Sequence, residues 1–283
     1  MTGDALSLAL FPVRTGLNLS ALLAIGFALH AALGVVGRDG FARLRWPGFL
    51  AAGLVVIFAG LRLVMLNAQM GDGTTWFAPD LFELSWVALG PSTMALVGAS
   101  LALTFGLLVR SRIVLAAGAV LAASGFALTG HTQGLTDPGL APPAVALHVL
   151  IAGFWVAAPL TLWPVASLAD GPLLTRLERF SRFAVAAIPL LVVLGVWLAW
   201  RLAGGFAPLF GSTYGRLLVL KLVVTLGAMG IGALNKQVVT EKMKDTPAVG
   251  RHWLRRTLAI ETTLFIVAIV AVSAATTIGA PGA

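Results

Sequence analysis

The chain has 283 residues, 59% of them hydrophobic and only 11% charged, against about 25% charged residues in an ordinary soluble domain. That composition leaves no room for a soluble catalytic domain and describes an integral membrane protein whose first partner is the lipid bilayer. The net charge of +8 lies in short loops, which fits orientation in a bilayer better than nucleic-acid binding, and the absence of cysteine excludes disulfides, thiolate metal relays and cysteine nucleophiles.

Stretches of about 20 apolar residues cross a hydrocarbon core, and eight occur, at roughly 17–37, 47–70, 91–109, 113–130, 143–166, 180–203, 214–235 and 256–277. The expected fold class is all-α: a polytopic membrane helix bundle of eight transmembrane helices. It reads as a single integral membrane domain of two four-span halves, 1–142 and 143–283, with 167–179 as the one plausible seam. Only Arg14 precedes the first span and no basic segment opens the chain, so that span reads as retained rather than as a cleaved signal peptide. Residues 4–13 are too short to cross and are expected to lie on the membrane surface, broken from the first span by Pro12.

Loop charge alternates along the chain. Arg38, Arg43 and Arg45, then Arg110 and Arg112, then Arg176, Arg179 and Arg182, then Lys236 to Arg256 mark one side. Loops 71–90, 131–142 and 204–213 contain no Lys or Arg. The positive-inside rule puts those three loops and both termini outside, and Trp46, Trp163, Trp200 and Trp253 fall near span ends as an aromatic belt requires. In loop 71–90, Pro79 is expected to open a short helix on the outer face. Asp72, Asp80, Glu83 and Asp137 are either ordinary solvated charges or an electrostatic collector for cations.

Polar residues inside spans carry the functional reading, because ionisable groups there are costly and mark sites. His131 closes the fourth span and His148 lies about 8 Å into the fifth; the short loop between them makes their helices neighbours. Arg62, Met65 and Gln69 share one face of the second helix, and Met70 and Met94 lie at the outer ends of adjacent spans. Tyr214, Lys221, Ala228 and Asn235 repeat every seven residues as one seam of the seventh helix, beside Gly227, Gly230 and Gly232. Towards the inner side, His30 and Glu261 lie at comparable depth, so His30 is a candidate partner for that buried carboxylate, as is Lys221. Each residue also has a plainer role, packing for the methionines, helix-to-helix hydrogen bonding for a lone histidine and snorkelling for the cations. Convergence of His131 and His148 with Met65, Met70 or Met94 points to copper, Cu(I) or Cu(II). Arg62 and Lys221 would repel a cation unless they pair with carboxylates, hold a counter-anion or gate the path.

Several segments resemble the copper-resistance protein D (CopD) family of bacterial inner-membrane proteins: SGFALTGHTQG (124–134), HVLIAGFW (148–155), RFSRFAVAAIPLLVVLGVWLAW (179–200), YGRLLVLKL (214–222) continuing to ALN (233–235), and LRRTLAIETTLFIVAIVAV (254–272). The resemblance is best over about 143–278. It implies copper handling at or across the inner membrane, described as uptake, with a periplasmic copper-binding protein as a partner. It carries His131 and His148 over as metal ligands and matches Tyr214, Lys221, Asn235 and Glu261 to recurring positions without assigning them a role. The alternatives are a haem-b electron carrier ligated by His131 and His148 and a metal-free scaffold subunit. No nucleophile–base set, metal-hydrolase motif or nucleotide loop is present, so no enzyme activity is expected. Glycine-rich helix faces would permit a homodimer without requiring one.

Overall fold

The computed structural model describes residues 3–71, 75–129 and 137–278, which are helical with no strand. Helix α1 is Gly3–Ala32 and α2 is Arg38–Met70; a 3-10 turn, Pro79–Leu81, leads into α3, Phe82–Val109, and α4 is Arg112–Ala127. Helix α5, Ala141–Val156, is prolonged by one turn, α6, Ala158–Thr161, ahead of α7, Asp170–Ala203. The short α8, Phe206–Gly211, precedes α9, Thr213–Leu234; a π-helical stretch, Asn235–Val239, joins α9 to α10, Thr240–Asp245, and α11 is Pro247–Ile278. Among the described residues seven helical stretches are long and apolar enough to cross a membrane, while α4, with 16 residues, is shorter. The all-α membrane bundle expected from hydropathy is the architecture that forms.

Two boundaries differ from the sequence expectation. Residues 4–13 are not a separate surface helix: α1 is continuous through Pro12. Proline removes one backbone donor, but in an apolar surrounding the remaining backbone groups are best satisfied inside an unbroken helix, and Pro47, Pro91 and Pro189 sit within α2, α3 and α7 in the same way. Helix α3 starts at Phe82, nine residues before the expected span, because the chain ahead of it is pinned to α2. The buried Asn67 donates to the Ala78 carbonyl (3.0 Å) and to Ser85 Oγ (3.0 Å), and its Oδ1 accepts from the Ala78 N–H (2.6 Å).

Lipid tails are as apolar as leucine, so close packing rather than burial from water holds membrane helices together. Helix α1 is the axis of that packing, lying against α2, α4, α5 and α11. It crosses α5 where Gly26 meets Gly153: a Cβ on Gly26 would stand 2.1 Å from the Gly153 carbonyl oxygen. One buried cluster gathers Ile25, Leu96, Leu115 and Ala119 from α1, α3 and α4. Another gathers Phe154, Trp155, Leu173, Leu254 and Phe265 from α5, α7 and α11.

The basic end of the bundle is cross-braced by its own arginines. Arg43 donates to Ser167 Oγ (3.1 Å), Arg255 to the Pro164 carbonyl (3.1 Å) and Arg251 to the Leu168 carbonyl, with Arg251 also paired to Asp170 at 2.5 Å. Arg179 donates to the Gly34 carbonyl at 2.9 Å, tying α7 to the end of α1. Each guanidinium supplies the donors that the irregular 161–170 loop and the helix ends lack.

Candidate functional site

His148 stands where α5 meets α7. A Cβ on Gly195 would lie 3.1 Å from its Cε1 and 3.7 Å from its Nδ1, so glycine at that turn of α7 leaves the space the ring fills. Lys221 on α9 is the charged group whose field reaches the ring. Its Nδ1 is buried and has no hydrogen-bond partner. A buried nitrogen left without a partner is uncommon, because desolvating it costs free energy that no bond returns.

The other fully placed intramembrane histidine is quite different. His30 on α1 is wholly buried, with Nδ1 2.7 Å from Thr161 Oγ1 and Nε2 2.8 Å from the Phe154 carbonyl. Its ring packs edge-on against Phe154 and Phe180 at centroid distances of 4.8 and 5.7 Å. Both nitrogens are spoken for, so the pairing with Glu261 considered from equal depth does not form. His30 faces α5 and α6, whereas Glu261 on α11 faces α9.

Glu261 is buried, with Oε1 3.3 Å from where a Gly232 Cβ would stand. It lines a small cavity together with Asn235, Lys236, Thr240, Ser181 and Phe180, with room for roughly one or two waters. Asn235 opens the π-helical stretch, and its Oδ1 is buried without a partner. Thr240 Oγ1 donates to the Asn235 carbonyl at 2.9 Å, a bond the widened turn makes available; such bulges recur at functional positions. Along α9, Tyr214 and Ala228 are buried, the charge of Lys221 acts on His148, and Asn235 lines the Glu261 cavity.

The methionines do not gather at His148. Met94 is 62% exposed on α3 and Met70 39% exposed at the end of α2, while Met65 is buried on α2. Helix α2 packs on α1 and α3, and α5 packs on α1, α4 and α7, so α1 and α4 intervene. His131 and Asp72 lie outside the described residues, and of the remaining outer acids Asp137 is engaged by Arg201, which donates to its carbonyl at 2.8 Å. Arg62 Nη2 lies 3.5 Å from Thr129 Oγ1, just ahead of the segment that holds His131. Among the described residues no three histidine or carboxylate side chains converge as a closed metal site.

The family model described as copper resistance protein D matches residues 174–275, the length from α7 into α11. That segment is a CopD region. It supports reading the chain as a CopD-family copper resistance protein, and it supplies Gly195, Lys221, Asn235 and Glu261, while His148 reaches the CopD helices from α5. Comparison with curated proteins and with solved structures gives no match. Sequence reasoning singled out His148, Lys221, Asn235 and Glu261 but missed Gly195 and the cavity. The only signal for either was a glycine in the middle of a span, where glycine permits close approach.

Proposed function

We propose that this protein binds copper near its outer face and moves it inwards across the bacterial inner membrane, between α5 and the CopD helices. The observation that carries the reading is the buried Nδ1 of His148, which has no hydrogen-bond partner and lies beside Gly195 within the field of Lys221. An imidazole nitrogen with a free lone pair is a ligand for copper, and a second ligand comes from His131 in the adjoining loop. From His148 the seam of α9 runs to the cavity of Asn235 and Glu261, where a carboxylate and an amide oxygen offer a second stop. Orientation follows the positive-inside rule, with the arginine-braced end in the cytoplasm.

Lys221 gives the site its coupling. A unit charge even about 10 Å away opposes a second cation by on the order of 1–2 kcal/mol at an effective dielectric of about 20. Copper at His148 and a proton on Lys221 therefore oppose one another, and arrival of the ion favours release of the proton. The protein is read as a carrier, not an enzyme, served by a periplasmic copper-binding protein.

The test is metal analysis with an absorption spectrum on detergent-purified protein, wild type beside His131→Ala/His148→Ala. Near-stoichiometric copper that the double variant loses is the expected result. Equal copper in both removes the site, and a Soret band lost in the variant replaces copper by haem b.

A further inference from the structure

The end of the bundle opposite the arginine braces contains two further arginines, Arg14 and Arg62, that no acid answers among the described residues. Arg14 on α1 donates through Nη1 to the Thr276 carbonyl of α11 and lies 3.4 Å from Thr277 Oγ1. Its Nε is buried and has no partner. Arg62 on α2 has Thr129 Oγ1 at 3.5 Å as its polar neighbour. The helix register brings the two together: a Cβ on Gly16 would press on the Phe58 ring, so one turn further out the antiparallel α1 and α2 set Arg14 against Arg62. Their charges are close enough to repel. Among the described residues no carboxylate lies within ion-pair distance of either; the recorded ion pairs use Arg201 at this end and Lys244 and Arg251 at the opposite one.

Capping the carbonyls at the end of α11 accounts for one face of one guanidinium. It leaves the Arg14 Nε, the second guanidinium and the mutual repulsion without an answer. Two like charges held in a low-dielectric site need a counter-charge, and two planar guanidinium forks flanked by hydroxyls match the geometry of a tetrahedral oxyanion. We propose that Arg14 and Arg62, with Thr129 and Thr277, form a binding site for a phosphate oxyanion, supplied either by the headgroup of an outer-leaflet phospholipid or by free phosphate. Arg62 contacts Thr129 two residues before His131, so the bound anion adds negative charge beside the loop where a cation would arrive.

Thermal unfolding of the delipidated full-length chain in an uncharged detergent tests this, with inorganic phosphate, phosphatidylglycerol or uncharged diacylglycerol added. The wild type is expected to gain stability from phosphatidylglycerol and not from diacylglycerol. A matching gain from inorganic phosphate identifies a free anion; a gain from the phospholipid alone identifies the headgroup. Arg14→Gln/Arg62→Gln is expected to abolish the response, and Arg62→Lys, which keeps the charge and loses the fork, to weaken apparent affinity by about ten-fold. A wild type indifferent to both phosphates overturns the site, as does a folded Gln variant that responds like wild type. Should the Gln variant not fold, an undiminished response in Arg62→Lys overturns it equally. Copper binding is not measured, so failure here leaves the proposed carrier function standing and failure there leaves this site standing.

Discussion

His30 and His148 are the same side chain at two places in one membrane bundle, and they have opposite surroundings. At His30 a hydroxyl, a carbonyl and two aromatic faces use every feature of the imidazole. At His148 a glycine makes room, the field of a lysine reaches the ring, and one nitrogen has no hydrogen-bond partner. A histidine whose lone pair and proton are both engaged holds helices together, and one held in place with a nitrogen unused is available to a ligand. Burial alone does not separate these roles; the count of partners does.

The sharpest way to break that contrast is His148→Ala, expected to weaken copper binding on the order of 100-fold with little loss of stability, measured by equilibrium copper titration beside thermal unfolding. His30→Ala is expected to do the reverse. Losing two buried hydrogen bonds and the aromatic contacts should cost about 2–4 kcal/mol, read by denaturant or thermal unfolding, while protein that still folds keeps its copper affinity. Glu261→Gln is expected to leave copper binding at His148 intact and to slow copper uptake into proteoliposomes by roughly ten-fold; uptake at the wild-type rate would remove the second stop. Lys221→Met is expected to raise copper affinity several-fold, up to roughly ten-fold, and to flatten its pH dependence. With Lys221 present, higher pH removes the competing proton and favours copper; without it only the slope from protonation of the imidazole ligands remains. Met94→Leu is expected to change copper affinity by less than about two-fold, since its side chain faces away from the bundle. A large loss there would show that the methionines do assemble near the site.

The spans were legible because apolar length alone specifies them. Rotation was not. His30 and Glu261 do lie on helices where counting gave them similar depth, yet one faces α5 and the other α9. In a soluble protein a polar face reports which side of a helix points inwards; here lipid and protein are both apolar, and most faces look alike. The α9 seam is the exception, since Tyr214, Lys221 and Asn235 gave that helix a marked side. The widened turn after Leu234 and the space opposite His148 left no comparable trace, and Arg14 drew notice only as a flanking charge of the first span.

Helix α4 is short, and that has a consequence for the bilayer itself. Its 16 residues span about 24 Å, about 6 Å less than a typical hydrocarbon core. A bilayer of typical thickness would thin beside α4, or water would follow the helix end inwards, by about that amount. Lipids of longer acyl chains would deepen the mismatch, and the rate of the proposed transport should then depend on the thickness of the membrane that holds the protein.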